Sequence, residues 1–292
     1  MEKFLNNCSF LFLLCSMAFY WIRAFFNFSF LFYFGKLTIF GAHIGMLFIL
    51  VLRGINERHF PLSNRVIKNY YHNIQNLVSF KAFKFYEALI FLSWSLTLIH
   101  LIIENFLSSF FIGTITAPTA LFLNVFASFQ LPLSFQNLNS LIPALQSNWL
   151  IMHVTVILLS YAALISGCLF SISFLFLNGQ NIKNQPKNLL IKIDQLSFRT
   201  IGVGFALLTV GIISGSIWAN EAWGSYWNWD PKETWSLITW LIFAVYLHLR
   251  INQNWKKQRS AILATFGFFV IWVCFLGVNF ISKGLHSYGW FY

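Results

Sequence analysis

Charged side chains are scarce in this chain of 292 residues, where they make up 9% of the total. A soluble domain carries about 25% of them, so the composition excludes a soluble globular enzyme. Hydrophobic residues account for 58% of the chain instead. Apolar runs of about 20 residues recur, and each is long enough to cross a hydrocarbon layer about 30 Å thick. The sequence therefore predicts an all-α polytopic integral membrane protein.

Acidic residues are especially few, with 8 aspartates and glutamates against 19 lysines and arginines. Such an excess can indicate a nucleic-acid-binding surface, but here it is divided among residues 53–84, 183–199 and 250–259. Residues 106–182, in contrast, contain no charged side chain. Basic loops remain on the cytoplasmic or stromal side of a membrane, so we expect all three segments on that side. We therefore expect the protein to lie in membrane lipid and to bind no nucleic acid.

Cysteine is also rare. The four cysteines, Cys8, Cys15, Cys168 and Cys274, all lie in apolar stretches, and no CxxC motif occurs. This pattern argues against a disulfide framework and against a cysteine zinc site. Buried in apolar surroundings, these thiols are expected to stay protonated and inert.

Seven transmembrane spans are predicted in a single membrane domain over residues 1–292, with the N-terminus inside and the C-terminus outside. The spans cover residues 9–33, 37–53, 86–106, 149–177, 197–219, 233–250 and 260–281. A basic inner loop occupies residues 54–85. Three prolines, at Pro118, Pro132 and Pro143, interrupt the apolar residues 107–148. Residues 116–130 are therefore expected to form either an interfacial helix on the outer face or a short re-entrant piece.

Tryptophan is concentrated at the outer end of the fifth predicted span, where six of the twelve lie between Trp218 and Trp240. An aromatic belt is one interpretation, but belts are usually spread among spans rather than packed into one loop. Indole is flat and apolar and can donate a hydrogen bond, which favours a flat platform for a large planar ligand. The candidate contact residues are Trp223, Tyr226, Trp227, Trp229 and Trp235.

The sequence Asp230-Pro231-Lys232-Glu233 within this segment is typical of a helix start. Asp230 would cap the helix, Pro231 would be its first residue, and Glu233 would reach back to the cap in a capping box. This structural interpretation does not account for the aromatic residues that precede it. Asp230 therefore stays among the candidate binding residues as well.

Two histidines are predicted on the same outer face as the tryptophans. His153 lies at the start of the fourth span, and His286 follows the end of the seventh. Two neutral imidazoles beside an apolar platform are the ligand set of six-coordinate haem iron, so a haem site is predicted here. Hydrogen bonds between helices are the alternative role for each histidine. Lys232 is either a partner of a haem propionate or a residue that extends to the interface.

His248 lies fourteen residues after Thr234, about 21 Å further along a helix that rises 1.5 Å per residue. This depth is too great for it to share the iron of the outer site. It is either a ligand of a second haem near the inner side or an interfacial residue beside a basic loop. The residues alone favour the interfacial role, since polar side chains gather at interfaces.

The WWD motif at residues 218–236, Trp-Ala-Asn-Glu-Ala-Trp-Gly-Ser-Tyr-Trp-Asn-Trp-Asp-Pro-Lys-Glu-Thr-Trp-Ser, closely resembles that of the CcsA family of cytochrome c biogenesis proteins. This family belongs to the WWD group of haem-handling membrane proteins. The resemblance continues in order at residues 59–64, 91–94, 116–118, 143–146, 149–161, 246–248 and 284–289. It covers most of the chain after residue 58. Residues 65–85 depart from the pattern as an insertion, which leaves the role of that loop open.

The resemblance implies attachment of haem by the system II pathway. The outer histidines, here His153 and His286, would be axial ligands of haem b held as substrate. The histidine after the motif, here His248, would ligate a haem in the membrane whose other ligand belongs to a CcsB-type partner subunit. This implication replaces the interfacial role that the residues alone favour for His248.

The resemblance also implies a location and a reaction. Haem would be presented at the lumenal face of the chloroplast thylakoid membrane for thioether attachment to CxxCH motifs of apocytochromes c, such as cytochrome f and soluble c-type cytochromes. The chain would then be part of a cytochrome c synthase. A haem exporter without lyase activity is the alternative. An electron-transferring cytochrome b is disfavoured because His248 has no evident partner at its depth.

Overall fold

The computed structural model describes residues 1–26, 28–56, 75–107, 110–131, 147–179, 187–252 and 257–278. Within these ranges, eight helices are long and apolar enough to cross a membrane. They are α1 Glu2–Phe26, α2 Phe30–Asn56, α3 Gln75–Leu107, α4 Phe110–Val125, α5 Asn148–Gly179, α6 Lys187–Trp223, α7 Pro231–Asn252 and α8 Lys257–Trp272. Short π-helical turns extend α4 over Phe126–Gln130 and α8 over Val273–Gly277. The described residues contain no β-strand, so the predicted all-α membrane fold is confirmed.

The chain forms two compact units, Met1–Ile151 and Met152–Tyr292. In unit 1, helices α1 to α4 form an antiparallel bundle. At one end Arg53 of α2 pairs with Glu2 of α1, and Asn6 donates a 2.8 Å hydrogen bond to Ser128. At the opposite end the guanidinium of Arg23 lies 5.2 Å from the ring of Phe110. Helices α1 and α3 therefore run in one direction, and α2 and α4 run in the other.

The sequence of α1 explains how it packs. Its buried residues are Ser9, Leu13, Ser16 and Tyr20, at intervals of three and four residues. This spacing places them on one face of the helix, while the phenylalanines of the other face are exposed. The helix begins at Glu2 and not at the predicted residue 9. Its first turn is held by the Glu2–Arg53 ion pair, which hydropathy does not detect.

Helix α4 raises the number of spanning-length helices from the seven predicted to eight, so the predicted placement of the chain ends on opposite sides no longer follows from the span count. Residues 116–130 were expected to be interfacial or re-entrant, but they belong to a helix of spanning length packed between α1 and α3. Pro118 lies inside it, and proline cannot donate to the carbonyl four residues earlier. The indole of Trp21 supplies the missing donor, through a 3.1 Å hydrogen bond from Nε1 to the Thr114 carbonyl. Of the basic loop predicted at residues 54–85, residues 54–56 belong to the end of α2 and residues 75–85 to the start of α3, and the remainder lies outside the described residues.

In unit 2, helices α5 and α6 run antiparallel in close contact along small residues. Ser160 donates to the Gly204 carbonyl at 2.8 Å, and Ser197 donates to the Gly167 carbonyl at 2.7 Å. Small residues let two helices approach until such side-chain-to-backbone hydrogen bonds can form. This packing fixes the register of α6 against α5, and with it the position of the segment that follows α6.

Helices α7 and α8 complete unit 2. The indole of Trp240 donates a 2.9 Å hydrogen bond to Thr209 of α6, and Tyr161 of α5 lies 3.3 Å from the sulfur of Cys274. At the other end of α7, Arg250 pairs with Asp194 at 2.7 Å. Lys257, the first residue of α8, lies 3.9 Å from the same carboxylate. Arg250 and Lys257 therefore lie at the end of unit 2 opposite to the start of α7, where Lys232 is.

Candidate haem site

The tryptophan-rich segment joins α6 to α7. Helix α6 ends at Trp223, where Gly224 has a φ of +77° and its N–H donates a 2.9 Å hydrogen bond to the Asn220 carbonyl. Glycine adopts this left-handed conformation without steric cost, which is why it often follows the last residue of a helix. The chain then turns sharply, and residues 225–229 form the loop that precedes α7.

The start of α7 confirms the predicted capping box. The Asp230 carboxylate accepts a hydrogen bond from the Lys232 N–H at 3.3 Å, and Glu233 accepts one from the Asp230 N–H at 3.2 Å. The same Glu233 oxygen also accepts from the Asn228 N–H at 2.7 Å. Both carboxylates are buried. They therefore fix the backbone of the loop as well as the start of the helix.

The indole rings meet edge to face and do not form the single flat platform expected from the sequence. The centroids of Trp218 and Trp223 are 4.8 Å apart with the ring planes at 69°, and those of Trp227 and Trp229 are 6.0 Å apart at 86°. Aromatic pairs prefer this arrangement because the ring edge is positive and the face negative. Trp218 is buried, and Trp223, Trp227 and Trp235 are half-buried.

Trp229 and Tyr226 are the two most exposed rings of the loop, with 70% and 60% of their surface accessible. Trp229 also has a φ of +56°, the only positive φ of a non-glycine residue in the described part of the chain. A bulky side chain in this conformation costs on the order of 1 kcal/mol or more, and such residues cluster at functional sites. The capping box therefore holds an exposed indole in a strained position.

His153 of α5 packs directly against α6. Its Nδ1 lies 2.7 Å from the carbonyl oxygen of Gly211. A side chain at Gly215 would collide with the imidazole, so glycine is required there for the close approach. Because a carbonyl oxygen can only accept, Nδ1 carries the hydrogen, and in the neutral ring Nε2 bears the lone pair. This is the tautomer in which a histidine ligates metal through Nε2.

His248 lies near the far end of α7, and its side chain is exposed. Its Nδ1 is 3.0 Å from the amide nitrogen of Asn252, one helical turn further on. Leu241 and Val245, at intervals of four and three residues, are exposed on the same face of the helix. The imidazole therefore lies at the end of an apolar strip on the surface of unit 2.

Of the two remaining candidate residues, Lys232 is described by the structure and His286 is not. The half-buried Lys232 lies within electrostatic reach of the Asp230 carboxylate and of Cys274. His286, the second predicted outer ligand, lies outside the described residues. Sequence reasoning missed Gly211, Gly215 and Asn252, which position the histidines. The motif Gly-Ile-Ile-Ser-Gly at residues 211–215 is a pattern of small residues that indicates a close approach of two helices. In the structure this close approach brings His153 against both glycines.

The fold and this site define a polytopic helical membrane protein with a capped, tryptophan-rich loop after α6 and a histidine packed against the same helix. The sequence model of the cytochrome c assembly protein family matches residues 82–286. The cytochrome c biogenesis protein CcsA of Mesostigma viride is 47% identical, over 99% of this chain and 97% of its own length. CcsA of Picosynechococcus is 40% identical, over 100% and 98%. The chain therefore belongs to the cytochrome c assembly family, as one of its CcsA-type members.

Among solved structures, the cytochrome c haem lyase CcmF has the same fold. The two superpose with a TM-score of 0.69 at 14% sequence identity. The match covers 94% of this chain and 46% of the CcmF chain, so this protein corresponds to less than half of that structure. At this identity the likeness establishes the architecture. Together with the CcsA relatives, it makes this chain an integral membrane protein of cytochrome c maturation.

Proposed function

We propose that this protein binds haem b as a substrate at the tryptophan-rich loop and presents it for thioether attachment to the CxxCH motifs of apocytochromes c. The observation that carries the proposal is the contact between His153 Nδ1 and the Gly211 carbonyl. It holds the imidazole in the tautomer that an iron ligand needs, beside the helix that ends in the tryptophan loop. His286 is the second axial ligand in this proposal, as the family resemblance implies.

The loop would contact the porphyrin through its exposed rings. Tyr226 and Trp229 offer apolar faces, and Trp229 is held in a conformation that its own backbone disfavours. The capping hydrogen bonds of Asp230 and Glu233 keep the loop in place. Trp227 packs edge to face against Trp229, and the half-buried Trp223 and Trp235 are further candidate contacts of the porphyrin. Rings placed at right angles can contact both a face and an edge of a planar ligand, which restricts its pose.

Lys232 is the cation assigned to a haem propionate. The Asp230 carboxylate and Cys274 lie within electrostatic reach of its ammonium group. Pairing with a propionate therefore requires the flexible side chain to extend towards the loop, as long lysine side chains do at interfaces. The carboxylates of the capping box repel propionates, so Lys232 also offsets the negative charge at this helix start.

His248 is assigned to a second haem site near the inner side of the membrane. Its exposure at the end of the Leu241–Val245 strip leaves room for a porphyrin against the surface of α7. The other axial ligand would come from a CcsB-type partner subunit. Ligation through Nε2 requires hydrogen on Nδ1, so Asn252 must then turn its amide oxygen towards the ring.

The protein supplies position, and the haem supplies the reactive groups. Each cysteine thiol of the apocytochrome adds across a haem vinyl group, so that sulfur bonds to one vinyl carbon and the thiol hydrogen ends on the other. His153 and the aromatic loop would hold the vinyl edge towards the lumen, which converts a bimolecular encounter into an oriented one. Because the histidine of the CxxCH motif must finally bind the iron, the bond to His153 or His286 has to be replaceable.

The plastid and cyanobacterial CcsA relatives support a location in the thylakoid membrane. The basic residues Arg250 and Lys257 at the other end of unit 2 favour the lumenal side for the tryptophan loop. A haem exporter without lyase activity remains the second candidate, because it would use the same histidines. The two candidates differ in the product. The purified protein with its CcsB-type partner, given haem, reductant and an apocytochrome peptide, forms a thioether if it is a synthase and releases free haem if it is an exporter.

The histidine assignment is tested by the absorbance of haem that co-purifies with the full-length protein and its partner. We expect His153→Ala to lower the haem content and to abolish cytochrome c assembly in cells, with partial recovery on adding imidazole. His43→Ala, in unit 1, is the matched histidine control and should retain haem. Normal haem content and normal cytochrome assembly in His153→Ala would reject the ligand role of this residue.

A further inference from the structure

Four polar side chains meet in the interior of unit 1, and none of them is among the residues assigned to haem. The Tyr20 hydroxyl donates a 2.6 Å hydrogen bond to Oε1 of Glu104 and lies 3.2 Å from Nε2 of His100. On the other side of the ring, His100 Nδ1 lies 2.6 Å from the hydroxyl oxygen of Thr116. The four residues come from α1, α3 and α4, and all are at most 1% exposed.

With Glu104 as a carboxylate, these hydrogen bonds indicate where the hydrogens lie. The Thr116 hydroxyl donates to the Ile112 carbonyl at 2.8 Å, so its oxygen accepts from His100 Nδ1. The Tyr20 hydroxyl is used as a donor to Glu104, so its oxygen can only accept from Nε2. The second carboxylate oxygen, Glu104 Oε2, lies 3.5 Å from the same Nε2. Both ring nitrogens therefore face acceptors, as in an imidazolium beside a carboxylate.

Glu104 Oε2 faces the same ring nitrogen. It is buried and has no hydrogen bond to the described residues, but it lies at ion-pair distance from His100. A lone carboxylate or a lone imidazolium in this position would be an uncompensated charge inside the membrane. An imidazolium of His100 and a carboxylate of Glu104 together have no net charge. This state contains one proton more than a neutral imidazole beside the same carboxylate. Removing either partner leaves the other with a charge that burial opposes.

We propose that Tyr20, His100, Glu104 and Thr116 form a proton-binding site inside the membrane-spanning part of unit 1. The bound proton is the one on His100 Nε2, facing Tyr20 and Glu104. Its release breaks the Nε2–H bond, passes the proton to water, and leaves a neutral imidazole with a negative Glu104. Its return restores the neutral pair. Tyr20 and Thr116 orient the two groups, and Gly113 makes room for the tyrosine ring, which a Cβ there would strike.

The site lies close to one end of the bundle. Glu104 is three residues from the end of α3, and the neighbouring Asn105 accepts a 2.6 Å hydrogen bond from Lys36 of α2 at an exposed position. Arg23 of α1 lies about one helical turn beyond Tyr20 and is the nearest guanidinium along that helix. In the other direction, the next titratable group is His43, bonded to Thr97 at 2.9 Å. Helix α4 contributes no charged residue. Proton exchange is therefore expected at the Lys36–Arg23 end.

The proposal is tested on the full-length protein in lipid nanodiscs, by nitrogen NMR of labelled histidine and by infrared spectroscopy of carboxyl groups. The resonance lost in His100→Gln assigns this residue among the seven histidines. At neutral pH we expect both nitrogens of His100 to carry hydrogen. Glu104→Gln keeps an acceptor for Tyr20 but removes the charge, and should convert His100 to the singly protonated ring. His100→Gln should produce a protonated carboxyl band that disappears in the double variant with Glu104→Gln.

His43→Gln removes the other imidazole of the bundle and is the matched control, which should leave the His100 resonance and the carboxyl bands unchanged. Tyr20→Phe, which keeps the ring that packs on Gly113, should shift the His100 Nε2 resonance while the nitrogen remains protonated. A purely structural hydrogen-bond cluster would give no change of protonation in either partner. If His100 keeps its state in Glu104→Gln and no carboxyl band appears in folded His100→Gln, the proton site is rejected. Haem content has no part in this readout, so the result is independent of the proposed function.

Discussion

At the scale of single residues, the candidate site depends on contacts that prepare a side chain for its task. His153 is recognisable from the sequence as a histidine on the outer face. Its proposed role as an iron ligand would depend on the Gly211 carbonyl, which fixes the tautomer, and on Gly215, which leaves space for the ring. Partners of this kind orient metal-binding histidines, and their loss weakens metal affinity by about 10–100-fold. Gly215 is therefore as important to the site as the histidine.

Replacing Gly215 by alanine tests this dependence. The new Cβ collides with the imidazole, so the ring must move away from the Gly211 carbonyl. We expect a haem content about 10–100-fold lower at limiting haem, measured by absorbance. Gly202→Ala is the matched control, because it lies on the same helix and a Cβ there would have no neighbouring atom within 4 Å. Equal haem retention by the two variants would show that the contact with Gly211 is dispensable.

At the scale of elements, α4 shows how a helix that sequence rules discount can still form. Pro118 breaks the ladder of backbone hydrogen bonds, and hydrocarbon provides no water to satisfy the Thr114 carbonyl. The indole of Trp21 does so from the neighbouring helix. The proline and the tryptophan are 97 residues apart in the chain, so no local pattern predicts their pairing.

This pairing predicts coupled stabilities. Trp21→Phe leaves the Thr114 carbonyl without its donor and should lower the free energy of unfolding by about 1 kcal/mol. Pro118→Ala restores an N–H within the helix, so Trp21→Phe should cost clearly less in that background. A double-mutant cycle measured by denaturant unfolding in detergent gives the coupling energy. Costs that simply add would mean that Trp21 contributes through packing alone.

The sequence predicts features that depend on local patterns, and it does not predict contacts between residues that are far apart in the chain. Long apolar runs, the capping residues Asp230 and Glu233, and the WWD motif are local patterns. The structure has a helix at each of the seven predicted spans, an eighth that was not predicted, and the predicted cap. The role of the His100–Glu104 pair could not be predicted from the sequence, because its partners, Tyr20 and Thr116, lie on other helices. The perpendicular arrangement of the tryptophan rings could not be predicted either, since the sequence gives the ring types but not the angles between them.

At the scale of the whole molecule, charge orients each unit in the membrane. In unit 1, Arg23 and Lys36 lie at one end, while the end with Lys3 and Arg53 leads into the basic residues 58–84, which hold five more lysines and arginines; this second end is therefore expected inside. In unit 2 the end that carries Arg250 and Lys257 is expected inside. The opposite ends carry the aromatic residues around Phe28 in unit 1 and the tryptophan loop in unit 2. The proposed attachment of haem in the lumen requires this orientation, because the apocytochrome must reach the loop.

Labelling of single cysteines tests the orientation directly. The four native cysteines are first replaced, and Lys3, Phe28, Glu221 or Lys257 is then changed to cysteine in separate variants of the protein expressed in bacteria. A maleimide that cannot cross membranes should label the cysteines at 28 and 221 in intact spheroplasts, because these positions face outwards. Those at 3 and 257 should react only after lysis, since the basic ends of both units face inwards. Labelling at 257 without labelling at 221 in intact cells would place the tryptophan loop on the basic side. The proposed presentation of haem to lumenal apocytochromes would then be untenable.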